Sequence, residues 1–172
     1  MKIVTKGLSE THNLAIEFIG DFLAHYSLPP AGGHTHHAPV FGLYGDLGSG
    51  KTAFVQGVAK ALGIKHPITS PTFVIQKRYE IGESRKSKVE SDSSTFNFNL
   101  FTFNSIVHID AYRLNEGKDM TALRWEETLS DPGNIVFLEW PEIVESALPA
   151  NLIPLKFRFI DENTREIELP EL

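Results

Sequence analysis

Gly45-Asp46-Leu47-Gly48-Ser49-Gly50-Lys51-Thr52 is a complete G-x-x-x-x-G-K-[ST] pattern, and its reading decides the fold. Glycines at these spacings let the chain curl so that the backbone N–H groups of Asp46, Leu47, Gly48, Ser49 and Gly50 can point at phosphate oxygens. Lys51 is placed to reach the outer phosphates, and the Thr52 hydroxyl to ligate Mg²⁺. The segment 53–62 that follows reads as a helix whose N-terminus adds its positive dipole end. The apolar run Val40-Phe41-Gly42-Leu43-Tyr44 before it reads as a buried strand. Strand, loop and helix stand in the order that a nucleoside-triphosphate cradle requires.

Outward from this loop, strands and helices alternate. Residues 2–6 read as a strand, followed by a helix from about Glu10 to His25. Ser9 is its candidate N-cap, and Leu14, Ile16, Phe18, Ile19, Phe22 and Leu23 form its apolar stripe. The β-branched and aromatic content predicts a strand from Thr72 to Tyr79. Ser105–Asp110 and Asn134–Glu139 predict two more, each apolar and each ending in a carboxylate. A helix is expected over 116–129 and a short helical piece over 142–148. Residues 154–160 and 165–169 flank Asp161-Glu162-Asn163-Thr164, which predicts a closing hairpin. The pattern predicts an α/β class, with ligands at the carboxyl ends of a largely parallel sheet.

At 172 residues the chain is most simply one domain, able to bury about two-thirds of its unfolded surface. Its 41% hydrophobic and 22% charged content is ordinary for a globular protein. No apolar run approaches the ~20 residues of a membrane span, the first residues lack a signal-peptide core, and there are no cysteines. Together these predict a cytoplasmic protein. The net charge of −6 argues against direct capture of nucleic acid. The local basic run 85–88 reads as a solvated loop. The Pro/Gly-rich stretch 28–39 holds His34, His36 and His37 without accompanying carboxylates, and also reads as a loop. The polar stretch 80–104 reads as a surface excursion, with a short strand or hairpin where Phe96, Phe98 and Leu100 alternate with polar residues.

A phosphate loop alone binds; hydrolysis needs a metal and an oriented oxygen. Acids at strand ends serve that purpose in such folds, which makes Asp110 and Glu139 candidates for metal contact and water positioning, with the roles undivided between them. Ser70 and Thr72 flank Pro71, where a segment can fold over the γ-phosphate or form a plain turn before the strand. His108 alternates with apolar residues and reads equally as a core histidine or a site neighbour. Arg113 reads as a phosphate contact or a surface pair.

The ordered series Gly45–Thr52, Ser70-Pro71-Thr72-Phe73, His108-Ile109-Asp110-Ala111-Tyr112-Arg113-Leu114 and Leu138-Glu139-Trp140-Pro141-Glu142 closely resembles the TsaE family of small bacterial ATPases. The likeness extends to the opening strand and helix and to the closing hairpin with Arg165. It implies a three-layer fold like that of phosphate-loop NTPases, and an accessory role in making threonylcarbamoyladenosine in tRNA. It further implies ATP and Mg²⁺ as cofactors, a transferase subunit and its paralogous companion as partners, and contact with tRNA only through that complex. By matching positions Thr52 and Glu139 would attend Mg²⁺, and Asp110 would be a catalytic or metal-associated acid. Ser70 and Thr72 would belong to a switch, and Trp140 would lie near the nucleotide. The stretches 28–39 and 80–104 look longer than the family's connections.

Two other readings compete. A small-molecule kinase shares the loop, but such enzymes clamp the moving phosphoryl group with cationic lid residues, and the arginines here (Arg78, Arg85, Arg113, Arg124, Arg158 and Arg165) are scattered. An ATP-binding adaptor with negligible hydrolysis would need only the loop.

Overall fold

The computed structural model describes residues 1–26, 37–82, 89–91, 94–96 and 103–171. Seven strands make one sheet in the order β1-β9-β8-β2-β7-β6-β3. They are β1 (Lys2–Lys6), β2 (Val40–Tyr44), β3 (Gln76–Glu80), β6 (Ser105–Asp110), β7 (Asn134–Glu139), β8 (Ile153–Phe159) and β9 (Thr164–Glu168). A separate antiparallel pair, β4 (Val89–Ser91) with β5 (Ser94–Phe96), lies within the expected excursion. The four central strands β8, β2, β7 and β6 are mutually parallel, whereas β9 against β8, β1 against β9, and β3 against β6 are antiparallel. The sheet is therefore parallel at its centre and mixed at its edges.

Period-2 alternation divides the strands between two cores. Phe41 and Leu43 of β2, Ile106 of β6, and Ile135 and Phe137 of β7 face helices α1 (Gly7–His25) and α2 (Lys51–Ala61). Val40, Val107, Ile109, Val136 and Leu138 face the other way. There they meet Met120, Trp125, Leu129 and Val144, carried by 3-10 segments and the short helix α3 (Trp125–Ser130). Phe41 stacks on Phe137 at 5.0 Å and takes the edges of Phe18 and Phe22, so the rings lock α1 to the strand that feeds the loop. The two helices touch closely: a Cβ on Gly57 would sit 2.7 Å from Ala15 Cβ and 2.8 Å from the His12 carbonyl.

Several boundaries differ from expectation. Helix α1 starts at Gly7, two residues before Ser9, with no side-chain cap at Lys6. Glu10 instead accepts from the Lys6 N–H at 2.6 Å, and the Gly7 N–H is taken by the Asn163 carbonyl at 2.6 Å. Strand β3 begins at Gln76 rather than Thr72. Val74 and Ile75 fold back to the Pro71 carbonyl, at 2.8 and 2.6 Å, and Ile75 turns the chain with φ 66°. The helix expected over 116–129 is two pieces, a 3-10 segment Gly117–Leu123 and α3, broken at Arg124 with φ 55°. His34, His36, the basic run 85–88, and Phe98 with Leu100 lie outside the described residues. Among the described residues no helix is long and apolar enough to cross a membrane.

Candidate functional site

The carboxyl ends of β2, β7 and β6 lie side by side, and the parallel register sets Asp110 beside Glu139 and Leu43 beside Glu139. The loop at 45–50 leaves β2 at this rim. Gly45 adopts φ 140°, and a Cβ there would stand 2.2 Å from the Phe157 carbonyl oxygen, so no side chain fits. Gly50 enters α2 without a side-chain cap. Among the described residues no side chain caps the first-turn N–H groups of that helix, and they suit an anion. Ser49 is buried, and its hydroxyl has no hydrogen-bond partner among the described residues.

Lys51 is only 4% exposed. Its ammonium donates to the Gly45 and Asp46 carbonyls at 2.5 and 2.9 Å and lies 4.2 Å from the centre of the Trp140 ring. Burial pushes its pKa below the ordinary lysine value, although Glu139, Asp110, Glu142 and Asp46 pull the other way. Trp140 reaches this position in a left-handed conformation, φ 60° and ψ 48°, which for a bulky residue costs about 1–2 kcal/mol.

Glu139, also 4% exposed, is the hub. One carboxylate oxygen accepts from the Thr52 hydroxyl at 2.7 Å and lies 2.9 Å from His108 Nε2. Burial raises its pKa, but the His108 hydrogen bond and charge, the Thr52 hydroxyl and Lys51 together outweigh burial and hold it below the ordinary glutamate range. The other nitrogen of His108, Nδ1, is buried without a partner among the described residues.

Asp110 ends β6 and caps the next turn by accepting from the Tyr112 N–H at 3.0 Å. Its second oxygen accepts from the Thr72 hydroxyl, and Thr72 and Ser70 share a hydrogen bond at 2.6 Å. The 70–75 turn is thus latched to a strand-end acid. Its outer face is apolar and open, with Phe73 85% exposed.

These groups line one cleft of about 570 Å³. Leu47, Gly48, Ser49, Gly50, Lys51, Thr52, Ser70, Thr72, Asp110, Glu139 and Trp140 all contribute to its wall. Asp46 contributes through its carbonyl to Lys51 rather than as a wall. Arg113 is elsewhere: its guanidinium sits 4.8 Å over the Phe73 ring, on the outer side of the turn. Two residues outside the candidate set belong to the site. His108 holds Glu139, a role that alternation alone left evenly balanced against a core position. Arg165 lines the cleft from β9 and donates to the Gly48 carbonyl at 3.0 Å. No local pattern marks it, because its neighbour in space is 117 residues away in sequence.

The donor set consists of hard oxygens, a hydroxyl and two carboxylates, the kind that suits Mg²⁺. Among the described residues no cluster of three or more His, Cys, Asp or Glu could hold a metal by itself. An ion here would need ligand oxygens as well, as is usual for Mg²⁺ beside a polyphosphate.

Comparison with known proteins bears on the whole chain. Residues 9–167 match the family model described as "Threonylcarbamoyl adenosine biosynthesis protein TsaE". A relative from Borreliella burgdorferi, named tRNA threonylcarbamoyladenosine biosynthesis protein TsaE, is 34% identical over 76% of this chain and 80% of its own. A protein of the same name from Rickettsia typhi is 33% identical over 72% of this chain and 71% of its own. The crystal structure of YdiB from Bacillus subtilis superposes with a TM-score of 0.62 at 24% identity, covering 97% of this chain and 82% of that one, which is a likeness of fold.

Proposed function

The chain belongs to the TsaE family of tRNA threonylcarbamoyladenosine biosynthesis, and from that premise we propose that it is a Mg²⁺-dependent ATPase of the phosphate-loop class that supports the transferase of this modification. The observation that carries the reading is the convergence of Lys51, Thr52, Glu139 and Asp110 on one cleft at the N-terminus of α2. The free first-turn N–H groups and the unpartnered Ser49 hydroxyl would receive phosphate oxygens. Lys51 would exchange its two loop carbonyls for the outer phosphates. Thr52, with Glu139 or Asp110, would hold Mg²⁺, whose charge would offset that developing on the phosphates. Glu139, oriented by His108, is suited to position the attacking water, while Asp110 would report the ligand to the 70–75 turn through Thr72. Trp140 would wall the cleft beside Lys51.

The partners in this reading are the transferase subunit and its paralogous companion, with tRNA reached through them, in the cytoplasm. The antiparallel pairing of β8 with β9 supports the closing hairpin that this reading expects beside a phosphate-loop architecture. The decisive experiment is phosphate release from ATP by the whole chain, with and without the reconstituted transferase pair. Slow turnover that rises with the pair, and that Lys51→Ala abolishes, is the expected result. Fast phosphoryl transfer to a metabolite without partners would mark a kinase, and tight ATP binding without turnover under any condition would mark an adaptor.

A further inference from the structure

The sheet ends at β3. In an antiparallel ladder alternate residues bond to the neighbouring strand, and those between them aim their amides outward. The Asp110 N–H donates to the Ile75 carbonyl at 2.9 Å and the Ile81 N–H to the Asn104 carbonyl at 2.8 Å, so residues 75, 77, 79 and 81 serve β6. Gln76, Arg78 and Glu80, in register with Ile109, Val107 and Ser105, turn their backbone groups away from it. The Gln76 N–H is taken by the Val74 carbonyl at 2.8 Å. The Gln76 carbonyl and both backbone groups of Arg78 and Glu80 remain, and among the described residues no strand pairs with them. Strands β4 and β5 pair with each other and not with this edge.

A groove flanks the edge on each face. On the α1–α2 side a space of about 680 Å³ lies between β3 and the exit of α2, with Leu62, Ile64 and Tyr79 in its walls. Lys65 and His66, both exposed, line it as well. On the opposite side a space of about 410 Å³ lies between β3 and α3, lined by Gln76, Arg78, Arg124 and Glu127 among others. Arg78 donates there to Ser105 Oγ at 2.8 Å and Asn134 Oδ1 at 2.5 Å, and Arg124 pairs with Glu127. Gln76 Oε1, in contrast, is buried with no partner among the described residues. A buried acceptor is costly in that position unless a donor reaches it.

Open backbone groups with a side-chain groove on each face are what strand addition uses. We propose that β3 receives an extended segment of a partner protein, which adds an eighth strand to the seven of the sheet. That strand stands about 4.8 Å from β3 and sends alternate side chains to opposite faces. Aliphatic side chains enter the groove of Leu62, Ile64 and Tyr79. Hydroxyl or amide side chains enter the other and donate to Gln76 Oε1, and a carboxylate at one end meets Lys65 and His66. A second copy of β3 fits poorly, because it would bring Lys77 to the face that already carries Lys65 and His66, and like charges repel there. The occupant is therefore a segment apolar and polar by turns, with an acidic flank. This proposal stands on the edge and its grooves, independently of the nucleotide reading.

The test is amide exchange, followed by NMR on the whole chain, alone and with a pool of short blocked peptides. The peptides alternate aliphatic residues with serine, threonine or glutamine between terminal glutamates. Alone, the Arg78 and Glu80 amides should exchange about tenfold or more faster than those of Lys77 and Tyr79. The pool should slow the first two by about tenfold or more and leave the others unchanged, and a pool of the same composition with the alternation scrambled should not. Glu80→Pro removes an outward N–H without touching the β6 ladder, a change that edge strands tolerate. It should abolish the slowing at Arg78 while Lys77 and Tyr79 stay protected. Lys65→Glu should weaken the peptides by about fivefold. Arg78 and Glu80 as protected in the free chain as Lys77, or no slowing at millimolar peptide, overturns the proposal. Slowing that appears with rising protein concentration alone also overturns it, and assigns the edge to a second copy.

Discussion

Replacing Glu139 by glutamine removes one negative charge from the cleft and almost no volume. The Thr52 hydroxyl and His108 Nε2, at 2.7 and 2.9 Å, still find an amide oxygen in place of the carboxylate oxygen. Hydrogen bonds to charged groups contribute about 1.5–3 kcal/mol and neutral ones about 0.5–1.5, so the pair loses about 2 kcal/mol. Removal of a charge that burial disfavours offsets part of that. Urea unfolding at neutral pH should therefore show a loss smaller than about 2 kcal/mol. The sign of its pH dependence follows from the lowered carboxyl. Its stabilising contribution is full above the ordinary glutamate value of 4.5 and disappears as pH falls through the lower folded value. The gap between parent and variant should accordingly be constant near neutrality and narrow below that value. Turnover should respond quite differently. Loss of one preorganised charged group from a reacting centre costs on the order of 100- to 1,000-fold, and phosphate release measured with saturating ATP and Mg²⁺ should fall by that much. Turnover within about threefold of the parent, with intact folding, would refute a role for this carboxylate in hydrolysis.

Gly57→Ala gains about 1 kcal/mol of helix propensity but drives a methyl to 2.7 Å from Ala15 Cβ and 2.8 Å from a backbone carbonyl. Overpacking of about 1–3 kcal/mol should win and lower the thermal midpoint by several degrees; an equal or higher midpoint would show that α1 and α2 slide apart freely. Trp140→Gly should be more stable than Trp140→Ala by about 1–2 kcal/mol in denaturant titrations, since only glycine relieves the left-handed backbone. The opposite order would mean that no strain is held there. Thr72→Val removes the hydroxyl that latches the 70–75 turn to Asp110, and amide exchange at Val74 and Ile75 should accelerate by about tenfold or more. Unaltered exchange there would show that the Pro71 carbonyl alone holds the turn.

What the sequence made legible was local. The pattern at 45–52, the apolar run before it and the two strands ending in Asp110 and Glu139 each carry their meaning within a few residues. The parallel register then does the rest by setting the acids side by side. Two of the misplaced boundaries share a physical cause, which is that tertiary partners overrode local preference. Ser9 is a good cap in isolation, but a carbonyl from the 160–163 connection starts the helix earlier. Thr72–Ile75 has strand composition, but the Pro71 carbonyl and Asp110 bend it into a turn. The stretch 116–129 was expected to form a helix, but the backbone breaks at Arg124. The resemblance included His108 and Arg165 but gave neither a role, because their meaning lies in what the fold brings to them, a carboxylate from β7 in one case and a loop carbonyl far along the chain in the other.

The lysine of the loop has a consequence for which anions the cleft will accept. Lys51 is already satisfied by two carbonyls of its own loop and by the face of Trp140. A lone sulfate or orthophosphate ion would have to meet both the lysine and the N–H groups of the helix end from one tetrahedral centre. A chain of linked phosphates can do both, because its segments reach the lysine and the helix end together. In the proposed reading the resting loop would act as a threshold, which a polyphosphate tail meets more readily than a small anion.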